Sequence, residues 1–361
     1  MAGPPQAQRA TVQAQTQTNH AFPLSWVDRL TRWVDKLPGP AWLYYAGVAL
    51  LFYIVYLAVK WLDGSMPVGT FPRIQAVVGG SLFYYLALLD HLNKVAERAI
   101  VRFRPASTAP DDVSAAIEQR LTTMQPCSVW AATAAGVVFG AAVMVAAWQG
   151  LLYAEAGLFS SVLASVLEVA VVLGLSISLL IFVLHTVQQL RVINTLYTQY
   201  TRVDMFDPAP VYAFSRLSAQ TAIGVILLQV IWQTGESWLA ADAVTLATGA
   251  VVVLLAVVAF VWPLRGLNRL LVKEKQRLKS VAGQRLKASI ESFNRGVDKA
   301  APEEVEALLA SIQGADLELQ IVNRMPTWPW QPGTLRGVAG AVLLPLFLWL
   351  LTRTLEEVIA F

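Results

Sequence analysis

The sequence predicts an all-α polytopic membrane protein, and three observations carry that prediction. Hydrophobic residues make up 56% of the 361 positions, charged residues only 14%, and mean hydropathy is +0.53. Soluble domains carry roughly a quarter charged residues. The apolar positions are also gathered into runs close to the ~20 residues that a hydrocarbon layer ~30 Å thick requires. Finally, the basic residues fall on one side of an alternating path through seven such runs, as Lys and Arg do on the cytoplasmic side of membrane proteins.

The elements follow in chain order. Residues 1–24, rich in Gln and Thr, have no apolar core or cleavage site and read as a disordered tail rather than a signal peptide. Residues 25–40 read as an interfacial amphipathic helix. Trp26, Leu30, Trp33 and Leu37 share one face, Asp28, Arg29, Arg32, Asp35 and Lys36 the other, and Ser25 is placed to cap it. Residues 41–264 hold six expected spans, at 41–62, 74–90, 128–152, 158–184, 211–233 and 239–264. The second is short and ends in Asp90 and His91.

Helical extensions leave the membrane after the second and fourth spans, and "DDVSAAIEQRLTTM" forms a short helix opened at Pro110. Residues 265–334 read as a cytoplasmic helical hairpin, with Leu271, Leu278, Val281, Ile290, Phe293 and Val297 on a loosely heptad spacing and Pro302 opening its second arm. Residues 335–361 contain the seventh span, 335–357.

With the N-terminus inside and the C-terminus outside, 24 of the 27 basic residues are cytoplasmic. Only Lys60, Arg73 and Arg353 fall elsewhere. Without the short second span, the basic residues of 94–120 would lie on the wrong side, so charge placement supports seven spans.

Chemistry is sparse. There is no phosphate-binding loop, HExxH, GxSxG or cysteine pair, and Cys127 stands alone. The expectation is therefore no enzyme, no cofactor and no metal site. His91 and His185 close two spans at the cytoplasmic end, where interfacial roles are usual; a metal or proton site would require them to meet. Acidic residues such as Glu274, Glu291, Glu303 and Glu318 interleave with the basic ones on the hairpin, which argues against nucleic acid and for a solvated surface near anionic lipid.

Two stripes remain as candidate sites. Glu168, the eleventh residue of its apolar run, lies roughly 15 Å in at 1.5 Å per residue. A charge there costs about 2.5–3.5 kcal/mol on insertion scales, so it must face protein or water. Ser161, Ser165 and Ser176 share its stripe. Either Glu168 is a buried protonated acid bonded to a neighbour such as Gln229 or Thr248, or it lines a ligand pocket or ion path. In the last span Thr334, Gly337, Ala341, Pro345, Leu348, Thr352 and Glu356 share a stripe, a packing seam or a candidate pore lining, with Gly337 and Gly340 allowing close helix approach.

The seven spans, their orientation, the cytoplasmic extensions of the fourth and sixth, and a last span preceded by a cytoplasmic helix (302–323) resemble the insect odorant and gustatory receptors and their seven-transmembrane ion-channel relatives. That resemblance implies a tetramer joined through cytoplasmic helices and a cation pore lined by the last span. The Thr-Tyr and Gln-Phe signature of the insect members is absent from "LRGVAGAVLLPLFLWLLTRT", so no functional residue carries over. "LRVINTLYTQYTRVDMFDPAPVYAFSRLSA" is similar to uncharacterised prokaryotic membrane proteins, which implies a prokaryotic plasma membrane.

The functional expectation is an oligomeric ion channel or ligand-responsive membrane sensor, with membrane lipid, further copies of itself and a small ligand or ion as partners. Alternatives are a scaffold docking a partner through the hairpin, or a proton-coupled transporter using Glu168. No internal repeat with matched Gly/Pro interruptions supports the transporter.

Overall fold

Apolar runs and capping chemistry set the boundaries of the helices. The computed structural model describes residues 23–149, 162–235, 243–296, 302–328, 333, 335–344, 347 and 354. Among these the chain forms α1 (Trp26–Asp35), α2 (Ala41–Leu62), α3 (Arg73–Phe103), α4 (Asp111–Thr122), α5 (Pro126–Trp148), α6 (Val162–Gln199), α7 (Ser215–Gly235), α8 (Ala243–Gly296) and α9 (Pro302–Arg324). A short apolar α10 (Leu335–Leu344) follows. No strand occurs among the described residues, apart from one isolated bridge between Ser107 and Thr201.

Five helices, α2, α5, α6, α7 and α8, are long and apolar enough to cross a membrane. The expected second span lies within α3, which is less apolar. The reason is its position: α3 packs against α2, α4, α6 and α7, so much of its surface meets protein rather than lipid. The seventh expected span is described mainly over α10.

At the N-terminus, Ser25 and Asp28 cap α1 reciprocally. Asp28 N donates to Ser25 Oγ at 3.2 Å, and Ser25 N donates to Asp28 Oδ2 at 3.1 Å. Asp28 Oδ2 also accepts from Met124 N at 3.3 Å, which ties α1 to the turn between α4 and α5. The docked face is Val27, Asp28, Thr31 and Val34. This corrects the simple two-faced reading: Trp33 points outward, 60% exposed, while Asp28 is buried.

The largest buried cluster sits towards the helical extensions. It joins Leu92 and Phe103 of α3, Ile193 and Tyr197 of α6, Phe214 before α7 and Leu271 of α8. Tyr197 donates to Val211 O at 2.9 Å, and its ring meets those of Phe103 and Phe214 with centroids 5.9 and 6.0 Å apart. Water drives apolar burial in this half, whereas lipid tails supply no such drive between spans. Accordingly Leu50, Leu51 and Ile54 of α2 stay more than half exposed.

Between spans, contact depends on small residues. In "GVVFG", a Cβ on Gly136 would stand 2.6 Å from Ile177 Cα, and one on Gly140 would stand 2.9 Å from Leu173 Cδ2. This GxxxG pair brings α5 against α6. The glycines singled out in the last span behave differently. A Cβ on Gly337 would make an ordinary 3.6 Å contact with Ile223, and one on Gly340 would meet nothing within 4 Å.

Beyond Leu264, α8 continues as one helix with Pro263 inside it, and α9 returns antiparallel along it. Lys275 Nζ donates to Asn323 O and Met325 O at 2.8 and 2.7 Å, and Arg285 pairs with Glu318 at 2.8 Å. Leu271 and Ala282 are fully buried and Phe293 is half-buried, an eleven-residue spacing of three turns that a straight helix can sustain. Leu278 packs against the main cluster, whereas Val281 and Ile290 are 36% and 41% exposed, so the seam within one chain runs through Ala282 rather than Val281. Val297 lies outside the described residues.

Candidate functional site

The site begins with two opposite charges inside apolar helices. Lys60, in the last turn of α2, and Glu168, in the first half of α6, are 2% and 5% exposed and meet at 2.8 Å. The helix macrodipole favours a cation at the C-terminal end of α2. Tyr56 lies one turn earlier on the same face; its hydroxyl donates to Glu168 Oε1 at 3.3 Å, and its ring centre is 5.8 Å from Lys60 Nζ.

Beside this pair, a cavity of ≈ 80 Å³ opens between α2, α3, α5 and α6, with Phe52, Tyr53, Val78, Met144 and Val172 in its mostly apolar wall. Gln75 contributes a further polar group there: its side chain hydrogen-bonds Tyr56, while its Oε1 is buried with no hydrogen-bond donor among the described residues. An engineered apolar cavity of ~150 Å³ holds benzene, so this one fits a few waters or a molecule of a few heavy atoms.

Energetics sharpen the picture. Desolvating two ions costs several kcal/mol each, and a buried pair repays this only with good geometry and further hydrogen bonds. Tyr56 supplies one such bond. The result is a fixed dipole at the rim of an apolar chamber, facing an acceptor that lacks a donor. Such an arrangement suits recognition of a small, mostly apolar molecule bearing one N–H or O–H.

Of the residues singled out by sequence, Glu168 and Ser176 are buried and Ser165 is half-buried. Ser176 faces α5, its Oγ 3.1 Å from where a Gly140 Cβ would be, so it packs rather than lines the cavity. Gln229 on α7 is not among the residues that line the cavity, and the Thr248 side chain lies outside the described residues. In α10, Ala341 is buried with Ala222, Ile226, Phe260 and Val338, which makes it a packing residue, while Gly337 is exposed. Ser161, Thr334, Pro345, Leu348, Thr352 and Glu356 lie outside the described residues. Sequence reasoning missed Lys60, Tyr56 and Gln75, treating Lys60 only as an exception to the charge rule. The available signal was a lysine inside the last turn of a 22-residue apolar helix.

A second polar centre lies at the other end of α3. His185 Nε2 contacts Asn93 Oδ1 at 2.7 Å, and Gln189 Nε2 donates to Asn93 Oδ1 at 3.3 Å and to Leu121 O at 2.9 Å. All three side chains are buried. His91 instead contacts Gln220 at 3.2 Å on the exposed side, so the two histidines serve different neighbours. No group of three or more metal-ligating side chains occurs among the described residues. Immediately after Asn93 on α3, Lys94 bridges Asp90 at 2.8 Å and Asp35 of α1 at 2.5 Å. Burial works against its charge, but the hydrogen bonds to both carboxylates outweigh that and hold its pKa above the ordinary lysine value.

Comparison with family models, curated proteins and solved structures gives no match to this chain.

Proposed function

We propose that this chain is a seven-span membrane protein, N-terminus in and C-terminus out, that assembles from several copies and acts as a ligand-responsive channel or sensor. The ordered bias of basic residues supports the orientation, and the topological likeness to insect chemoreceptors supports the class. The observation that carries the ligand-responsive part is the Lys60–Glu168–Tyr56 cluster at the rim of an apolar cavity that also holds the unpartnered oxygen of Gln75. A small, mostly apolar molecule with one hydrogen-bond donor fits that chemistry. Occupancy would bear on α2, α3, α5 and α6 together, because all four form the wall.

Thermal unfolding of the detergent-purified protein in a series of short-chain alcohols tests this. Wild type should gain stability saturably relative to Ala147→Leu, which fills the cavity. Parallel curves for the two proteins across the series would overturn the ligand reading. Ion flux into liposomes containing the wild-type protein then separates channel from sensor.

A scaffold role is favoured by a different observation. Leu309, Leu317 and Ile321 of α9 are 43%, 57% and 47% exposed, away from α8. Proton-coupled transport through Glu168 would have to open its pair with Lys60 in every cycle, and breaking such a pair costs about 3–5 kcal/mol.

A further inference from the structure

Where α8 leaves its apolar run, the sequence reads Trp262, Pro263, Leu264, Arg265. Arg265 and Arg269 stand one turn apart on one face of the helix, both exposed. Neither forms an ion pair among the described residues. Further along α8 the pattern changes: Arg277 pairs with Glu274, Arg285 with Glu318, and Lys275 is taken up by the carbonyls that end α9.

The two unpaired guanidinium groups border a cleft of ≈ 400 Å³ between α8 and α6, whose other walls include Asn194, Thr198, Trp262 and Leu270. Gly266 sits at the crossing. A Cβ there would stand 2.9 Å from Asn194 Oδ1 and 3.7 Å from Thr198 Cγ2, so a side chain would intrude between the helices. Trp262 is 60% exposed, an amphipathic ring at the end of the apolar run, the kind of side chain enriched where membrane helices meet headgroups.

We infer that this cleft binds the phosphodiester headgroup of an anionic phospholipid. Arginine presents two parallel N–H donors that match a phosphate, and two such forks on adjacent turns converge on one anion. The Asn194 amide supplies a neutral donor on the facing helix. Trp262 and Leu270 supply apolar surface for the glycerol and the first acyl carbons. Basic pockets between membrane helices recognise anionic headgroups by this chemistry. A free phosphate ester offers the same anion. The placement of the cleft, at the step from an apolar run to a basic helix, selects the lipid. Neither the proposed orientation nor the cavity near Glu168 is needed for this site.

The test uses the full chain in a zwitterionic detergent, titrated with phosphatidylglycerol or phosphatidylcholine and read by native mass spectrometry. Wild type should retain phosphatidylglycerol selectively. Arg265→Gln with Arg269→Gln should weaken that retention about thirtyfold, the effect of removing two cations near an anionic headgroup. Lys279→Gln with Lys287→Gln removes the same charge from exposed positions of the same helix and should leave retention unchanged. Gly266→Leu, which keeps both arginines but occupies the cleft, should also reduce it. Equal retention by wild type and the arginine pair variant would overturn the site. Equal loss in the lysine control would reduce it to diffuse charge and overturn it too. Displacement of the lipid by inorganic phosphate at matching concentration would overturn the lipid as its ligand.

Discussion

Two buried polar centres divide the bundle, and they are built on opposite principles. Near one end, Lys60 and Glu168 place full charges in apolar helices beside a cavity. Towards the helical extensions, Asn93, His185 and Gln189 form a hydrogen-bonded layer within the largest packed cluster. The second centre is the kind that fixes a unique core, because each amide and ring must find its partner for the elements to close. The first brings a large desolvation cost and loose packing next to it, which adds little to stability.

The largest expected effect comes from breaking the ion pair. Lys60→Met or Glu168→Leu alone leaves one uncompensated buried charge and should lower stability by about 3–5 kcal/mol. The double variant should recover most of that loss, because an apolar pair of similar volume is often neutral or better. Unfolding of the purified protein in detergent measures both. Additive losses in the double variant would show that the two charges act independently and would remove the contrast with the neutral centre.

How much of this could be read from sequence follows from what each feature depends on. The apolar runs, the cap at Ser25, the acidic first turn of α4 at Asp111 and Asp112, and the start of α9 at Pro302 are local, and the chain obeys them. The partner of Glu168 is not local. It arrives from α2, and nothing in either run shows that the two helices cross there. The docked face of α1 eluded the periodicity for a related reason. Its buried Asp28 is satisfied by a backbone N–H of Met124, a partner that hydropathy does not register. The α5–α6 crossing was legible in principle, since GVVFG carries the small-residue spacing, whereas the last-span glycines carry the composition without the close approach.

That crossing gives the next prediction. Gly136→Val would force a side chain into Ile177 Cα and should cost about 1–3 kcal/mol from overpacking, whereas Gly340→Ala, in open space, should stay within about 0.5 kcal/mol of wild type. Thermal midpoints of the two variants decide it. Because Gly140, in the same crossing, lies beside Leu173, five residues along α6 from Glu168, Gly136→Val should also change any response that depends on the cavity.

The neutral centre should yield a loss of intermediate size but a plainer one. Asn93→Leu leaves His185 Nε2 and one Gln189 amide proton without the oxygen they share, at a cost of about 1–3 kcal/mol. Unlike the ion pair, it should not alter ligand-dependent stability, because Asn93 does not line the cavity. A change in the alcohol response of Asn93→Leu would show that the two centres are coupled through α3.

The smallest effect concerns Lys94, which joins α1 to the neutral end of the bundle. Its pKa is held above the ordinary value of 10.5 by hydrogen bonds to Asp35 and Asp90 that outweigh burial. A raised folded-state pKa means the contribution is complete below the unfolded value and disappears as pH rises through the folded one. The clamp should therefore hold through neutral pH and release only above about 10.5. Lys94 is 38% exposed and Asp35 39%, so solvent screens the bond to α1 and its worth falls in the range of exposed pairs, at most about 1 kcal/mol. Trp33 on α1 reports the release. The part of the tryptophan fluorescence that Trp33→Phe removes should show an alkaline step that is missing in Lys94→Gln, after subtraction of the tyrosine titration common to both. High salt should weaken the step, since screening acts on partly exposed charges. A step of equal size in Lys94→Gln would mean that the buried face of Val27, Asp28, Thr31 and Val34 alone holds α1 in place, and that Lys94, unlike either charge of the Lys60–Glu168 pair taken singly, is dispensable.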